Sequence, residues 1–220
     1  MSETEAMLQL LLRALGETLA MVFAAGLLGM VGGVPLGTAL YVTGPGRFLA
    51  RPWVNRILGL FVNAGRSVPF IILLVAVVPF TRWVVGSSIG VAAAIVPLTL
   101  GAVPFAARLV EGALLEVPPA QIEAAYALGA GNRQVICRVL LPEALPGILH
   151  SATVLLVALV NYSAMAGAVG AGGLGDVGIR YGLYRYNGGV MLVVILLIIL
   201  LVQGIQWVGD RLASGADRRF

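Results

Sequence analysis

Long uncharged runs of apolar residues follow one another along the chain, and short segments between them carry most of its charges. A helix that crosses a bilayer needs about 20 apolar residues, because the hydrocarbon core is about 30 Å thick and each helical residue rises about 1.5 Å. No residue between Thr18 and Gly46 is charged. The pattern predicts five membrane-spanning helices, at about residues 17–44, 57–80, 84–107, 145–170 and 187–209.

Two predicted spans contain residues that are unusual in a membrane helix. The stretch 57–80 contains Arg66, and the apolar run after it is too short to cross alone, so we expect this helix to begin before Arg66. The stretch 84–107 contains Pro97 and Pro104. Neighbouring helices or water can satisfy the carbonyls that proline frees, and a kink is expected.

Composition supports the membrane interpretation. Of the 220 residues, 60% are hydrophobic and 11% are charged, whereas soluble domains have about 25% charged residues. The mean hydropathy is +0.99. The N-terminal segment has Glu3 and Glu5 and no basic residue before Arg13, which is the wrong charge for a secretory signal peptide. The sequence predicts an all-α, polytopic membrane protein with a single transmembrane domain over residues 1–220.

The basic residues predict an orientation. All fourteen are arginines, and five spans would place nine on one side of the membrane and four on the other, with Arg66 inside a span. The positive-inside rule assigns the richer side to the cytoplasm, so the N-terminus is expected outside and the C-terminus in the cytoplasm. Scattered arginines also form no continuous basic face, so we expect lipid contact and no nucleic-acid partner. The nine are Arg47, Arg51, Arg56, Arg108, Arg133, Arg138, Arg211, Arg218 and Arg219.

Small residues recur at four-residue intervals in the first span, at Gly29, Gly33 and Gly37. Such a row lets two membrane helices approach closely, and we predict a helix-packing face. The alternative is that glycine is simply common in membrane helices.

One polar segment, about residues 111–143, separates the third and fourth spans. Pro119 suits the first turn of a short helix, and Gly129 suits a left-handed cap at its end. A second helical piece is expected from Asn132 to Leu141, ending at Pro142. The short helix suits docking into a groove of another protein or lying on lipid headgroups, and the residues alone leave both open.

The spacing within this segment resembles the EAA loop of ABC importer permeases, whose pattern is EAA-x3-G-x9-I-x-LP. Only a valine in place of isoleucine departs from it, so the match is long and specific. The matching residues are Glu123, Ala124, Ala125, Gly129, Val139, Leu141 and Pro142.

The resemblance implies a type I ABC importer permease fold and a coupling helix, with Pro119 in its first turn, seated in a cleft of a cytoplasmic ATPase. ATP and Mg²⁺ would be bound by that ATPase, so this chain would be no enzyme and hold no cofactor. The implied partners are a second copy of the chain, two ATPase subunits and an extracytoplasmic binding protein, which the stretches described next specify as a methionine-binding protein, at a bacterial inner membrane.

Several shorter and less specific stretches of the sequence resemble the methionine importer permeases in particular. They imply uptake of D- or L-methionine; the alternatives are another amino acid or small polar solute, or a gradient-driven carrier. Carriers place several ionisable groups at mid-membrane, whereas here only Arg66 qualifies. The matching stretches are residues 66–72, 95–99, 142–147, 162–165 and 167–175.

Four residues are candidates for the gate or the translocation path: Arg66 in the second span, and Tyr162, Ser163 and Met165 near the outer end of the fourth. An arginine inside a span is usually functional, although its side chain can also reach the headgroups. Ordinary helix packing is the alternative for the other three.

Other motifs do not carry chemistry. Residues 170–175 satisfy G-x-G-x-x-G but have no preceding strand and no acid about 20 residues later. A P-loop requires lysine, which the chain lacks. His150 is the single histidine and has no cluster of metal ligands around it in the sequence, so no metal site is predicted.

Overall fold

The computed structural model describes residues 3–216, in which every regular element is helical. Arg218 and Arg219, which contributed to the predicted orientation, lie outside the described residues. The helices are α1 Glu3–Thr43, α2 Pro52–Ser67, α3 Phe70–Ala76, α4 Val78–Val85, α5 Val91–Leu115, α6 Pro119–Ala127, α7 Asn132–Val135, α8 Leu141–Glu143, α9 Leu145–Gly167, α10 Gly173–Val177 and α11 Gly188–Ala216. Two π-helical segments occupy Ile136–Leu140 and Gly178–Leu183.

Four of these helices, α1, α5, α9 and α11, are long and apolar enough to cross a membrane. A fifth crossing exists only if α2 and α3 are taken together, and these two helices meet at 99°. The stretch 57–80 is therefore not one helix. Pro69 causes the break, because it forces Val68 out of the helical region, to φ −82° and ψ 124°. The third span also begins later than expected, at Val91, after two left-handed glycines that end α4 and precede α5.

The packing of α1 against α5 forms the centre of the bundle. Small residues of α1 lie directly on small residues of α5. A methyl group at Gly29 would come within 2.7 Å of the Ala102 side chain, and one at Gly33 would collide with Ala106. These glycines therefore set a close approach between two membrane helices.

Replacing Gly33 with alanine should lower stability by about 1–3 kcal/mol, because the added methyl group forces α1 away from α5. Gly16 is a matched control on the same helix, since a methyl group there meets no atom within 4 Å. The Gly16→Ala variant should be neutral or more stable by up to about 1 kcal/mol through helix propensity. Thermal unfolding in detergent measures both variants, and equal losses would contradict the packing explanation.

The polar segment 111–143 and the glycine-rich segment 170–175 lie at opposite ends of this bundle. The C-terminal end of α1, at Tyr41 and Val42, shares a buried cluster with Ile122 of α6. Towards the other end of α1, Glu17 and Thr18 accept hydrogen bonds of 2.9 Å from the first two backbone N–H groups of α10. Those side chains cap the glycine-rich segment 170–175, so that segment is packed structure.

Candidate functional site

The short helix α6 is fixed at both ends by its local sequence. Pro119 is its first residue, and Pro118 before it is extended at ψ 129°. At the other end Gly129 is left-handed, with φ +81°. Its N–H donates to the Tyr126 carbonyl at 2.9 Å, and the Ala130 N–H donates to the Ala125 carbonyl at 3.0 Å. This pair of bonds is a Schellman motif, so the predicted glycine cap is present.

The two faces of α6 have different environments. Ile122 is buried, and Ala125 and Tyr126 pack half-buried against the same cluster of α1, α5 and the 135–148 region. The opposite face is exposed and follows helical spacing, so its side chains form one continuous surface. Leu128, just past the last helical turn, is 89% exposed. We call this surface the α6 outer face; it comprises Ala120, Glu123, Ala124, Ala127 and Leu128.

Polar contacts hold the inner side of α6 in place. The Tyr126 hydroxyl donates to Asn132 Oδ1 at 2.9 Å, and its ring meets Phe48 edge-on at 5.7 Å between centroids. Burial raises the pKa of Tyr126 above its ordinary value of 10.0, so the phenol remains a proton donor at neutral pH. Gln121 donates to the Glu143 carboxylate at 3.3 Å. Helix α6 is thus attached to the segment that follows it and to the connection between α1 and α2.

The segment after α6 differs from the prediction. The second helical piece does not end at Pro142, which is exposed within α8. In a regular helix the proline ring would clash with the carbonyl four residues earlier, at Arg138. The π-helical turn Ile136–Leu140 widens the helix there, and the Leu141 N–H donates to the Ile136 carbonyl, five residues back. The chain therefore passes Pro142 and enters α9 after a break at Ala144.

Charge on the α6 outer face is unpaired within the described part of the chain. Glu123 is exposed and makes no hydrogen bond or ion pair to any residue between 3 and 216. On α5, Arg108 is paired with Glu111, and its second nitrogen donates to Asn63 Oδ1 at 2.9 Å. This contact ties α2 to the end of α5 just before α6. The carboxylate of Glu123 is therefore available to a partner.

The four gate candidates separate into two groups. Arg66 and Tyr162 line one groove of about 140 Å³ between α2, α3, α5 and α9. The Arg66 guanidinium lies 5.9 Å from the Phe105 ring centroid, and Tyr162 stacks on Phe70 at 4.8 Å.

The other two candidates lie outside that groove. Ser163 is buried, and its hydroxyl donates to the Val160 carbonyl of its own helix at 2.8 Å. Met165 is 39% exposed and lies one helical turn beyond Tyr162 on α9. The four side chains therefore do not share one groove in this conformation of the single chain.

Sequence reasoning did not single out Ile122 or Leu128. Both positions carry apolar side chains within the polar segment, and helical phase separates them, since Ile122 is six residues from Leu128. A helical wheel of Pro119–Leu128 places Ile122 and Leu128 on different faces, and this difference in the sequence could have distinguished the buried residue from the exposed one.

Comparison with known proteins identifies the class. The family described as "Binding-protein-dependent transport system inner membrane component" matches residues 33–218, and the chain belongs to this family. It is therefore a multi-pass inner-membrane permease with the type I ABC importer fold, which confirms the family resemblance drawn from the EAA loop.

Individual relatives are similar over most of the chain. A Vibrio cholerae protein named "Probable D-methionine transport system permease protein MetI" is 55% identical over 96% of this chain and 93% of its own length. The Escherichia coli K12 protein named "D-methionine transport system permease protein MetI" is 56% identical over 74% and 76%. A solved structure of the MetNI methionine ABC transporter, described as inward facing, covers 99% of this chain and 100% of its own, with 54% identity and a TM-score of 0.96.

Proposed function

We propose that this chain is the membrane-spanning permease subunit of an ATP-driven methionine importer. The observation that carries the proposal is the α6 outer face, an exposed surface of small, acidic and leucine side chains on the EAA motif. The methionine assignment rests on the relatives at 55% and 56% identity. ATP and Mg²⁺ are bound by a separate ATPase subunit, because the chain has no lysine with which to build a P-loop.

The α6 outer face is proposed to seat in a cleft of the ATPase. Its alanines, including Ala124 of the motif, allow close approach, Leu128 supplies an apolar contact, and Glu123 pairs with a basic or polar group. The opposite face of α6, formed by Ile122, Ala125 and Tyr126, packs against α1, α5 and the π-helical turn that precedes Leu141 and Pro142. Closure of the ATPase dimer would then move the spans. Nucleotide shifts this equilibrium only through its differential affinity for the two states.

The proposed assembly contains two copies of this chain, two ATPase subunits and an extracytoplasmic methionine-binding protein. The N-terminus is proposed to lie outside and the C-terminus in the cytoplasm. The excess of arginines on the side that carries α6 supports this orientation.

Uptake of labelled methionine into proteoliposomes tests the proposal. Vesicles that contain this chain, its ATPase and the binding protein should accumulate methionine only when ATP is supplied on the side of the ATPase. Uptake that persists without the ATPase and follows an ion gradient would replace the proposal with a secondary carrier. ATP-dependent uptake of another amino acid in place of methionine would overturn the substrate alone.

We also propose that Met165 faces the translocation path, beside the groove formed by Arg66 and Tyr162. In a Cys137→Ser background, which removes the native thiol, Met165→Cys should crosslink to its copy in the second chain in one nucleotide state and not in the other. Ser163→Cys is the matched control, because that position is buried within one chain and should not crosslink. Equal crosslinking in both states would remove Met165 from the gate.

A further inference from the structure

An apolar groove runs along the outside of the bundle between α1, α9 and α11. It has a volume of about 490 Å³. Among the described residues that line it, Thr153 has the only polar side chain, and its hydroxyl donates to the Leu149 carbonyl of its own helix at 3.1 Å. The groove therefore offers no free side-chain donor to a polar solute, so an apolar occupant suits it.

Small residues on the two facing helices create the groove. Gly204 and Gly209 of α11 and Ala152 of α9 line it. An added methyl group at Gly209 would collide with Thr153, so the two helices are in close contact there. An added methyl group at Gly204 meets no atom within 4 Å, so the space beside this glycine is open. A larger side chain at position 204 would project into that space.

The length of the groove matches one leaflet of a bilayer. Its lining on α11 extends from Leu200 to Leu212, which is roughly 18 Å at the rise of an α-helix. Half of the hydrocarbon core is about 15 Å thick. Leu200 lies near the middle of α11, Gly188–Ala216, and Leu212 lies near its end. An acyl chain that enters from the headgroups at the Ala216 end would therefore run along the groove to the middle of the membrane.

A cationic and an aromatic side chain lie at the headgroup end. Arg211 is exposed, and its guanidinium carbon lies 3.9 Å from the Trp207 ring centroid. It follows Gly204 and Val208 at helical spacing, so it lies on the same exposed side of α11 as the groove. Tryptophan and arginine are typical of the level at which hydrocarbon meets headgroups. A guanidinium binds phosphate through two parallel hydrogen bonds.

The charge of Arg211 is not neutralised by its neighbour along the chain. Between residues 3 and 216, Arg211 makes no ion pair and no hydrogen bond. The adjacent Asp210 lines a different groove, with His150 on the other flank of α11. Positive charge thus remains at the mouth of the apolar groove, and it favours a headgroup of negative charge.

We propose that this groove is a binding site for one phospholipid with a negatively charged headgroup. One acyl chain lies in the groove beside Gly204, and the lipid phosphate pairs with Arg211. The bound lipid fills the space that the small residues leave between α9 and α11. The site uses neither α6 nor any gate candidate, so it does not depend on the methionine assignment.

Native mass spectrometry tests the site in the purified complex with the ATPase, released from nanodiscs that contain phosphatidylglycerol and phosphatidylethanolamine. Each permease chain should retain one phosphatidylglycerol. Gly204→Leu should lose this lipid, because the leucine side chain occupies the groove. Gly215→Leu is the matched control. A methyl group there also meets no atom within 4 Å, but the position lies beyond the groove on the same helix, so the lipid should be retained.

The headgroup contact has its own pair of variants. Arg211→Gln should reduce the preference for phosphatidylglycerol over phosphatidylethanolamine about fivefold, since one basic residue near an anionic surface contributes about 1 kcal/mol. Arg185→Gln should leave the preference unchanged. Its guanidinium also lies over an aromatic ring, 4.7 Å from the Tyr181 centroid, but near the opposite end of α11.

Equal lipid retention in Gly204→Leu and Gly215→Leu, or no retained lipid in the unmodified complex, would overturn the site. Crosslinking of two copies through Gly204→Cys, in the Cys137→Ser background, would also overturn it, because a second copy would then cover the groove. The same mass spectra report intact assembly, and Ala152→Leu replaces Gly204→Leu if that variant does not assemble. Methionine uptake is a separate result, since the mass measurement uses no cargo.

Discussion

Replacing Leu128 with serine should weaken the association of this chain with its ATPase by about 10- to 100-fold. Leu128 is 89% exposed in the isolated chain, and burying a leucine contributes about 1.5–3 kcal/mol, of which about 1.4 kcal/mol corresponds to a factor of ten. The measurement is retention of the ATPase during purification, followed by titration of the subunit into reconstituted permease. ATP-dependent methionine uptake should fall in parallel.

Two other variants serve as controls for the effect of Leu128→Ser on ATPase binding. Leu115→Ser changes a leucine that is also exposed, at the same end of the bundle but outside α6, and it should leave the association unchanged. Ile122→Ser changes the buried residue of α6 and should lower the thermal stability of the permease itself. Equal loss of ATPase binding in Leu128→Ser and Leu115→Ser would mean that the α6 outer face is not a docking surface.

Replacing Gly129 with valine should uncouple ATP hydrolysis from transport, whereas Gly129→Asn should preserve coupling. The backbone at Gly129 is left-handed, which costs most L-residues about 1–2 kcal/mol and a β-branched residue still more. Asparagine tolerates this conformation. A side chain at this position meets no atom within 4 Å, so backbone strain is the only difference that matters. The strained variant should lose the two bonds that end α6 and misplace Leu128.

The ratio of methionine transported to ATP hydrolysed measures this effect. We expect the ratio to fall about tenfold in the valine variant, as expected for a loss of about 1.4 kcal/mol in the coupled state, and to stay near the unmodified value with asparagine. If valine and asparagine reduce the ratio equally, the left-handed cap has no role in coupling.

The features that the sequence predicted best are those fixed by neighbours along the chain. The start of α6 at Pro119 and its end before Gly129 follow from the backbone preferences of proline and glycine, which act within one helical turn. The apolar runs of α1, α9 and α11 are similarly local. The family followed from the EAA spacing, which also lies within one short segment.

Errors arose where one local signal competed with another. The apolar run 57–80 predicted a continuous span, but Pro69 within it breaks the helix. Pro142 predicted a helix end, but a π-helical turn accommodated it. In the first case proline overrode hydrophobicity, and in the second a change of helical register overrode proline.

The surroundings of the gate candidates required information that a single sequence does not contain. Tyr162 and Ser163 are adjacent in the chain, yet one lines a groove with Arg66 and the other is buried against its own helix. Which side of α9 faces a groove depends on how α9 is rotated against α3 and α5. That rotation is set by packing between distant segments, so composition and spacing do not determine it.

The proposed coupling role requires that α6 be held by a separate ATPase on the cytoplasmic side. Photocrosslinking from Ala124→Cys, labelled with a photoactivatable maleimide in the Cys137→Ser background, tests it most directly. The comparison is Tyr184→Cys, which is exposed near the start of α11, at the opposite end of the bundle. We expect a covalent adduct with the ATPase from position 124 and none from position 184. An adduct from position 184 alone, or only lipid adducts from position 124, would contradict it.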